Sequence, residues 1–75
     1  MVEPPERVPE VEYYANGRVK FRGFRLGDDL HGAWEWFRTD GSLMRTGHLD
    51  RGRQVGVWRT FDRSGRLVKE TDFGA

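Results

Sequence analysis

The segment GAWEWFRTDGSLMRTG, from Gly32 to Gly47, is one copy of a unit that the chain repeats every 24 residues. Glycines, aromatic rings and aliphatic side chains all recur at this interval. They include Gly17, Gly41 and Gly65; Tyr13, Phe37 and Phe61; Val19, Leu43 and Leu67; Gly23 and Gly47; and Trp34 and Trp58. A fixed period of roughly 20 to 50 residues indicates a repeat architecture, in which each unit buries its apolar side against its neighbours.

The chain is short, with 75 residues and no cysteine. A chain of this size buries only ~60% of the surface that it exposes when unfolded, so the sequence predicts one domain with a small core. No disulfide can support that core, and no thiolate can bind a metal. Size alone therefore predicts association with another chain as a source of further stability.

Charged residues make up 33% of the chain but nearly cancel, leaving a net charge of +1. Binding to nucleic acid or to an anionic membrane surface needs a basic face, so this balance argues against both. No apolar run reaches the roughly 18 residues that a membrane span requires, and residues 1–10 lack the pattern of a secretion signal. We therefore expect a cytoplasmic protein.

Residues 1–10, MVEPPERVPE, contain all three prolines of the chain. Proline removes a backbone donor and favours an extended chain, so this stretch predicts a flexible, proline-rich leader. The repeat domain is expected over residues 11–75, as two full repeats and a partial third.

Turn signals separate strand-like runs at intervals of about ten residues from Val11 onward. Three of these turns end in glycine: Ala15-Asn16-Gly17, Thr39-Asp40-Gly41 and Arg63-Ser64-Gly65. This pattern is typical of a three-residue hairpin loop, a type I turn followed by glycine at positive φ. No segment shows sustained helical spacing of apolar residues. The sequence predicts an all-β fold: a single antiparallel six-stranded meander of β-hairpin repeats, twisted or curled.

The glycine turn fixes which residues oppose each other across a hairpin. The predicted pairs are Arg38–Ser42, Phe37–Leu43, Trp36–Met44 and Glu35–Arg45, with Tyr13–Val19 and Phe61–Leu67 in the other two hairpins. Aromatic–aliphatic and opposite-charge pairs each contribute roughly 0.2–1 kcal/mol. All three hairpins give the same apolar pair, which favours this register, since a slip by one residue would separate the pair onto opposite faces.

The same register divides the apolar side chains between the two faces of a single-layer sheet. One face is expected to carry Tyr13, Val19, Phe21, Ala33, Phe37, Leu43, Leu49, Val57, Phe61, Leu67 and Phe73. The other is expected to carry Phe24, Trp34, Trp36, Met44, Trp58 and Val68, together with Lys20, Arg22, Thr46 and His48. No helix is expected to cover either face, so the sheet must curl, pair with another copy or bind a partner.

The repeated motif resembles the MORN-repeat family, and most closely a variant found in bacterial proteins, some of them antitoxin components of toxin–antitoxin systems. The residues that carry it are 13–17, 32–37 with 40–43, and 56–61 with 64–67. The resemblance covers residues 13–73, although Thr71 stands where the pattern has Gly23 and Gly47. It implies successive hairpins in an elongated, twisted sheet that serves as a scaffold for protein contacts.

No group of residues specifies a reaction or a cofactor. His31 and His48 would have to converge with a carboxylate such as Asp50 to bind zinc, and their spacing matches no ligand motif. The adjacent carboxylates Asp28 and Asp29 are expected to be solvated loop residues rather than an acid–base pair. We therefore predict a non-enzymatic protein with no catalytic residue, no metal and no cofactor.

Aromatic side chains are the best candidates for a binding site. The candidate protein-binding residues are Trp36, Trp34, Trp58, Phe24, Met44 and Arg22. Trp34 and Trp58 recur with the repeat, which favours a structural role, whereas Thr60 is the counterpart of Trp36. Trp36 is therefore the stronger candidate for an anchor, since tryptophan and arginine are enriched at the centres of protein interfaces.

These features favour a protein-interaction or scaffold module that binds a protein partner or a second copy through its aromatic face or an edge strand. The alternative is binding to nucleic acid or to an anionic membrane surface through an arginine and aromatic face that includes Arg18, Lys20, Arg22 and Arg45. Salt dependence separates the two, because phosphate contacts weaken steeply as salt rises.

Overall fold

The computed structural model describes residues 6–75, which form one antiparallel sheet. Its strands are β1 (Arg7–Tyr13), β2 (Val19–Leu26), β3 (Asp29–Leu30), β4 (Gly32–Phe37), β5 (Leu43–Asp50), β6 (Arg53–Phe61) and β7 (Leu67–Asp72). The sheet runs β1-β2-β4-β5-β6-β7, with β3 paired on β2 outside this path. The predicted all-β meander is confirmed. There are seven strands rather than six, because the connection after β2 folds back and pairs as β3.

The first strand begins earlier than the proline content suggested. Pro9 pairs with Phe24 and Glu10 with Gly23, so residues 7–10 belong to the sheet and not to a flexible leader. Proline is tolerated in β1 because this strand lies at an edge, where a missing donor need not interrupt the ladder between two strands. Pro4 and Pro5 lie outside the described residues.

A glycine in the left-handed region closes each hairpin, with φ of 86° at Gly17, 90° at Gly41 and 89° at Gly65. In the middle hairpin the Arg38 N–H donates to Ser42 O, and the Gly41 N–H donates back to Arg38 O, both over 2.9 Å. Glycine adopts this backbone conformation without the clash that a Cβ would cause. The predicted three-residue turns are confirmed, as is the Arg38–Ser42 closing pair.

One residue bulges from the second strand of every hairpin. The predicted pairs Phe37–Leu43, Tyr13–Val19 and Phe61–Leu67 are present. The next pairs in the middle hairpin are Trp36–Arg45 and Glu35–Thr46, so the expected Trp36–Met44 and Glu35–Arg45 pairs are wrong. The register skips Met44, as it skips Lys20 and Val68 one repeat away. A bulge therefore belongs to the repeat itself.

The bulge reverses the expected faces, because side chains alternate with a period of two and one inserted residue inverts the alternation. Phe21, Leu49 and Phe73 lie with the three tryptophans rather than with Tyr13. Arg22, Phe24, Thr46 and His48 lie on the other side, as neighbours of Glu35, Pro9, Glu35 and Ala33 respectively. We call the two sides the tryptophan face and the opposite face.

The core is small and lies entirely on the tryptophan face. Trp34, Leu49 and Trp58 are buried, and Phe21, Leu30 and Trp36 pack against them. The shortest dimension of the molecule is only 12 Å, about the thickness of one sheet with its side chains. In the described part of the chain, no second layer covers the opposite face.

Candidate protein-binding surfaces

Five aromatic rings form a continuous row across the tryptophan face. The ring centroids are separated by 5.7 Å for Phe21–Trp34, 5.9 Å for Trp34–Trp36, 5.3 Å for Trp36–Trp58 and 6.2 Å for Trp58–Phe73. Rings at roughly 4.5–7 Å attract each other in tilted, offset or edge-on arrangements. The row links the three hairpins and accounts for most of the core.

Trp34 and Trp58 are held by the same device in successive repeats. The ring of Trp34 covers Gly23, and the ring of Trp58 covers Gly47, so that a Cβ at either glycine would overlap the indole. The two tryptophans are only 2% and 7% exposed. This burial supports the structural role that their recurrence predicted and leaves them little surface for a partner.

The two buried indole nitrogens are also satisfied in equivalent ways. The Trp34 Nε1–H donates to Phe24 O over 3.0 Å, and the Trp58 Nε1–H donates to His48 O over 3.2 Å. An unpaired indole N–H in this core would cost free energy, since water cannot reach it. Each indole therefore packs in the core and also hydrogen-bonds to the backbone of the neighbouring strand.

Trp36 lies in the middle of the aromatic row and is half-buried. Its ring stacks on Trp34 and Trp58, at interplanar angles of 28° and 29°. The Arg45 guanidinium lies 5.6 Å from its ring centroid and covers it from the next strand. Trp36 is thus less buried than its two neighbours, in line with its lack of a repeat counterpart, but it contributes to the core as well.

The six candidate residues do not form one surface. The three tryptophans share the tryptophan face, whereas Arg22 and Phe24 lie on the opposite face and Met44 is the bulge residue. The predicted aromatic site was therefore wrong as a continuous patch, and the reason is the inversion of faces at each bulge.

The opposite face carries an apolar stripe that runs across all the long strands. It consists of one residue from each of β1, β2, β4, β5, β6 and β7: Tyr13, Val19, Phe37, Leu43, Phe61 and Leu67. Tyr13 and Leu67, at its two ends, are 57% and 45% exposed. Adjacent strands lie ~4.8 Å apart, so the stripe is about 24 Å long. The recurring apolar pairs of the sequence predict that these six residues share a face.

A row of charged side chains runs beside the apolar stripe. The Arg22 Nε lies 2.7 Å from Glu35 Oε1, and the Arg59 Nε lies 2.9 Å from Glu70 Oε2. The Arg22 guanidinium also lies 5.3 Å from the centroid of the Phe37 ring. Neutralised ion pairs next to an apolar stripe resemble the polar rim of a protein interface.

The basic residues of the nucleic-acid alternative are dispersed. Arg22 is paired on the opposite face, and Arg45 covers Trp36 on the tryptophan face. The Arg18 Nη1 donates to Asp40 O over 2.6 Å in the neighbouring turn, and Lys20 lies 4.0 Å from Glu12. These four cations therefore make no common basic patch.

A groove of about 520 Å³ opens on the opposite face between β1, β2 and β4. Its apolar lining comes from Pro9, Val11, Phe24 and Ala33, while Arg22 and Glu35 stand at its border. The groove is present because the side chain of Ala33 is small. The row of charged side chains separates the groove from the apolar stripe. The groove is an extension of the same exposed face.

The two histidines stand in different environments. The His31 Nδ1 accepts a hydrogen bond from the Arg51 N–H over 3.1 Å and lies 3.8 Å from Asp50 Oδ1. His48 pairs with Ala33 on the opposite face. Among residues 6–75, no group of three histidine, cysteine, aspartate or glutamate side chains has the arrangement of a metal site.

Side chains at the first two turns donate hydrogen bonds to the backbone of the next repeat. The Tyr14 Oη–H donates to Phe37 O over 2.7 Å, and the Arg38 Nη2 donates to Phe61 O over 2.6 Å. Within the turns, hydrogen bonds from Ser42 lower the pKa of Asp40, and hydrogen bonds from Ser64 and Arg66 lower the pKa of Asp62. These contacts align the three hairpins at one end of the sheet.

No known protein family, curated protein or solved structure matches the chain. The geometry of the chain itself must therefore support any functional conclusion. Residues 6–75 also include no helix with the length and apolar character of a membrane span.

Proposed function

We propose that this chain is a non-enzymatic protein-interaction module that binds a protein partner through the apolar stripe on its opposite face. One observation carries the proposal: each long strand contributes one apolar side chain to a stripe that no other layer covers within residues 6–75. Apolar patches of this kind mark interaction sites in soluble proteins.

The burial pattern supports this choice of face. The tryptophan face already buries its largest side chains in the core, with Trp34 only 2% exposed. The ends of the stripe, Tyr13 and Leu67, remain about half exposed and can still be transferred out of water on binding. The ion pairs Arg22–Glu35 and Arg59–Glu70 form a neutral border that a partner can cover without leaving unpaired charge.

The resemblance to MORN-repeat proteins supports the same class of function, a scaffold that presents a sheet to other proteins. A cytoplasmic bacterial setting belongs to this proposal. A toxin bound by the stripe would extend the proposal to the antitoxin role.

The test compares the wild-type chain with a Tyr13→Thr/Leu67→Thr variant, in which both changes are at exposed strand positions. Proteins captured by the wild-type chain from a bacterial extract are purified and their affinities are measured by calorimetry. We expect the double variant to lose at least about tenfold in affinity, because two large apolar contacts are removed from the interface. Val8→Thr is the matched control, since Val8 is 58% exposed and lies outside the stripe.

The salt dependence of the same affinity distinguishes the alternative function. Binding through the apolar stripe should change little between low and moderate salt, whereas binding to phosphates should weaken steeply. Equal affinity of the wild-type chain and the double variant, or a steep salt dependence, would contradict the proposal.

A further inference from the structure

The second strand of each hairpin has an outer edge, and in the first two hairpins a strand of the next hairpin pairs with that edge. β2, β5 and β7 are the second strands of the three hairpins, and β4 pairs with β2 while β6 pairs with β5. Among the strands of residues 6–75, β7 pairs only with β6 and β1 pairs only with β2. The repeat thus leaves one accepting edge at β7 and one free first strand, β1.

The internal junctions define the register that a strand added to β7 would take. Phe21 pairs with Trp36 at the first junction, and Arg45 pairs with Thr60 at the second. Lys69 is the equivalent of Phe21 and Arg45 in the third hairpin, since the three positions are 24 residues apart. Glu12 lies 24 residues before Trp36. A first strand added in the same register would therefore place Glu12 opposite Lys69.

The charges at this pair are complementary. Among residues 6–75, Lys69 is in no ion pair, whereas the neighbouring Glu70 is paired with Arg59. Glu12 has only a long contact of 4.0 Å to Lys20, and its side chain is 56% exposed. Opposite charges directly across an antiparallel ladder attract each other, so the β7 edge favours a strand with an acid at this position.

The next position on the tryptophan face of β7 has room for the side chain of β1 but not for the tryptophans of β4 and β6. Gly23 and Gly47 accept an indole ring, but Thr71 occupies the equivalent position and its Cβ would overlap such a ring. β1 carries Glu10 where β4 and β6 carry a tryptophan. Of the three first strands within residues 6–75, β1 is therefore the one that can be added to β7 in the internal register.

One of the contacts between turns can be reproduced at the new junction. The Arg18 Nη1 donates to Asp40 O over 2.6 Å, and Arg66 is the equivalent of Arg18 two repeats later. The Arg66 side chain is 82% exposed, with its Nε 3.5 Å from Asp62 Oδ2 in its own turn. The equivalent acceptor in a second copy is the carbonyl oxygen of Asn16. Arg66 can therefore make this hydrogen bond.

Another contact between turns is lost there. Tyr14 and Arg38 each donate to a carbonyl oxygen of the next repeat, but Asp62 occupies the third equivalent position. Its carboxylate accepts hydrogen bonds within its own turn and has no donor to offer. Pro9 of β1 likewise has no N–H to donate to a ladder. A junction between two copies should therefore be weaker than the junctions within the chain.

We propose that a second copy of this chain adds its β1 antiparallel to β7, with Glu12 opposite Lys69. The contact is head to tail and leaves a free β1 at one end and a free β7 at the other, so further copies can add in the same way. The pairing also lengthens the apolar stripe, since Tyr13 of the added copy comes to lie next to Leu67.

Sedimentation velocity over a concentration series tests the charge pair. Lys69→Glu should weaken self-association by about five- to tenfold, because an attractive pair across the ladder becomes a repulsive one. The double variant Lys69→Glu/Glu12→Lys should recover it. Arg53→Glu controls for the change in net charge, since Arg53 is the first residue of β6, on an interior strand away from both edges of the sheet, with a side chain 74% exposed.

Two single-cysteine variants test the register, since the chain has no cysteine of its own. Arg22 pairs with Glu35 and Thr46 with Arg59, so the same register places Val11 of a second copy opposite Glu70. Val11→Cys and Glu70→Cys should form a disulfide only when the two variants are mixed, because opposed positions lie within bridging reach.

A monomeric mass at every concentration would overturn the proposal. So would a disulfide formed by Glu70→Cys alone, which indicates two β7 strands paired with each other. Neither result affects the apolar stripe, because the Tyr13→Thr/Leu67→Thr variant is assayed for binding to another protein. Failure of the two proposals is therefore distinguishable.

Discussion

The indole ring of Trp58 covers Gly47, and this contact repeats the one between Trp34 and Gly23 in the preceding hairpin. Each glycine lies in the second strand of the preceding hairpin, next to the strand that carries its tryptophan, so the contact joins successive hairpins. It allows two large rings to lie against the backbone of a sheet for which residues 6–75 provide no second layer. A small single-layer fold obtains its core in this way, because a ring placed on a glycine loses most of its contact with water.

Gly47→Ala should destabilise the fold by about 1–3 kcal/mol, since the added Cβ overlaps the Trp58 ring and forces it to move. The measurement is the urea midpoint of unfolding, followed by tryptophan fluorescence. Thr71→Ala is the matched control, because it changes the equivalent position of the next repeat, where a Cβ is already accommodated. Similar midpoints for wild type and Gly47→Ala would contradict the close packing of Trp58 on Gly47.

Substitutions in the aromatic row should differ in cost according to burial. Trp34→Ala removes a buried ring and its hydrogen bond to Phe24 O, and should cost about 3–5 kcal/mol. Trp36→Ala removes a half-buried ring and should cost less, about 1–3 kcal/mol, through lost stacking and partial burial. Chemical unfolding of the two variants measures the difference. The reverse order would show that Trp36, and not Trp34, is central to the core.

Deletion of the bulge residue Met44 should be far more damaging than its substitution. Without Met44, the pairs after Phe37–Leu43 shift by one residue and Leu49 moves to the opposite face, away from the buried indoles. We expect the deletion to abolish cooperative thermal unfolding in circular dichroism. Met44→Thr keeps the extra residue and should retain a cooperative transition, so loss of folding in both variants would count against this explanation.

Acid should weaken the turn at Asp62 through the lowered pKa of its carboxyl group. The hydrogen bond from Ser64 is the largest cause of the lowering from the ordinary value of 3.8. Because the folded pKa lies below the unfolded one, the carboxylate stabilises the fold above about pH 4, and this contribution is lost as pH falls through the folded pKa.

Melting temperatures measured between about pH 5 and pH 2 check this sign. Asp62→Asn should show a shallower fall in melting temperature than the wild-type chain, because the titrating group has been removed. Ser64→Ala should also flatten the profile, since it removes the main cause of the shift. A steeper fall in Asp62→Asn would mean that the carboxyl group stabilises the fold in its protonated form.

The expected fold followed from features that act locally. The hairpin loops are defined by Gly17, Gly41 and Gly65, and the apolar pair beside each loop fixes the register at that point. The sheet order then follows from short connections. The assignment of faces failed beyond the bulges, because a bulge changes backbone conformation at one residue without a distinctive side chain: Lys20, Met44 and Val68 have little in common.

The candidate site was predicted from that assignment of faces, so its residues do not lie together in the structure. Phe24 and Arg22 were expected beside Trp36, yet they line the far side of the sheet. The recurring pairs Tyr13–Val19 and Phe61–Leu67 were correctly placed because they lie before the bulge. These pairs form an exposed surface because the core lies on the other face of the sheet.

The sequence by itself determined the repeat, the hairpins and the antiparallel meander, since each depends on residues near one another in the chain. Only the tertiary structure decided which face is filled and which is free. That choice depends on the packing of Trp34 and Trp58 onto glycines of neighbouring strands. It also depends on an inserted residue that inverts the alternation of side chains in the second strand of each hairpin. Both are relationships between neighbouring strands. They cannot be read from the order of residue types along one strand, because they depend on which residues the fold brings opposite each other.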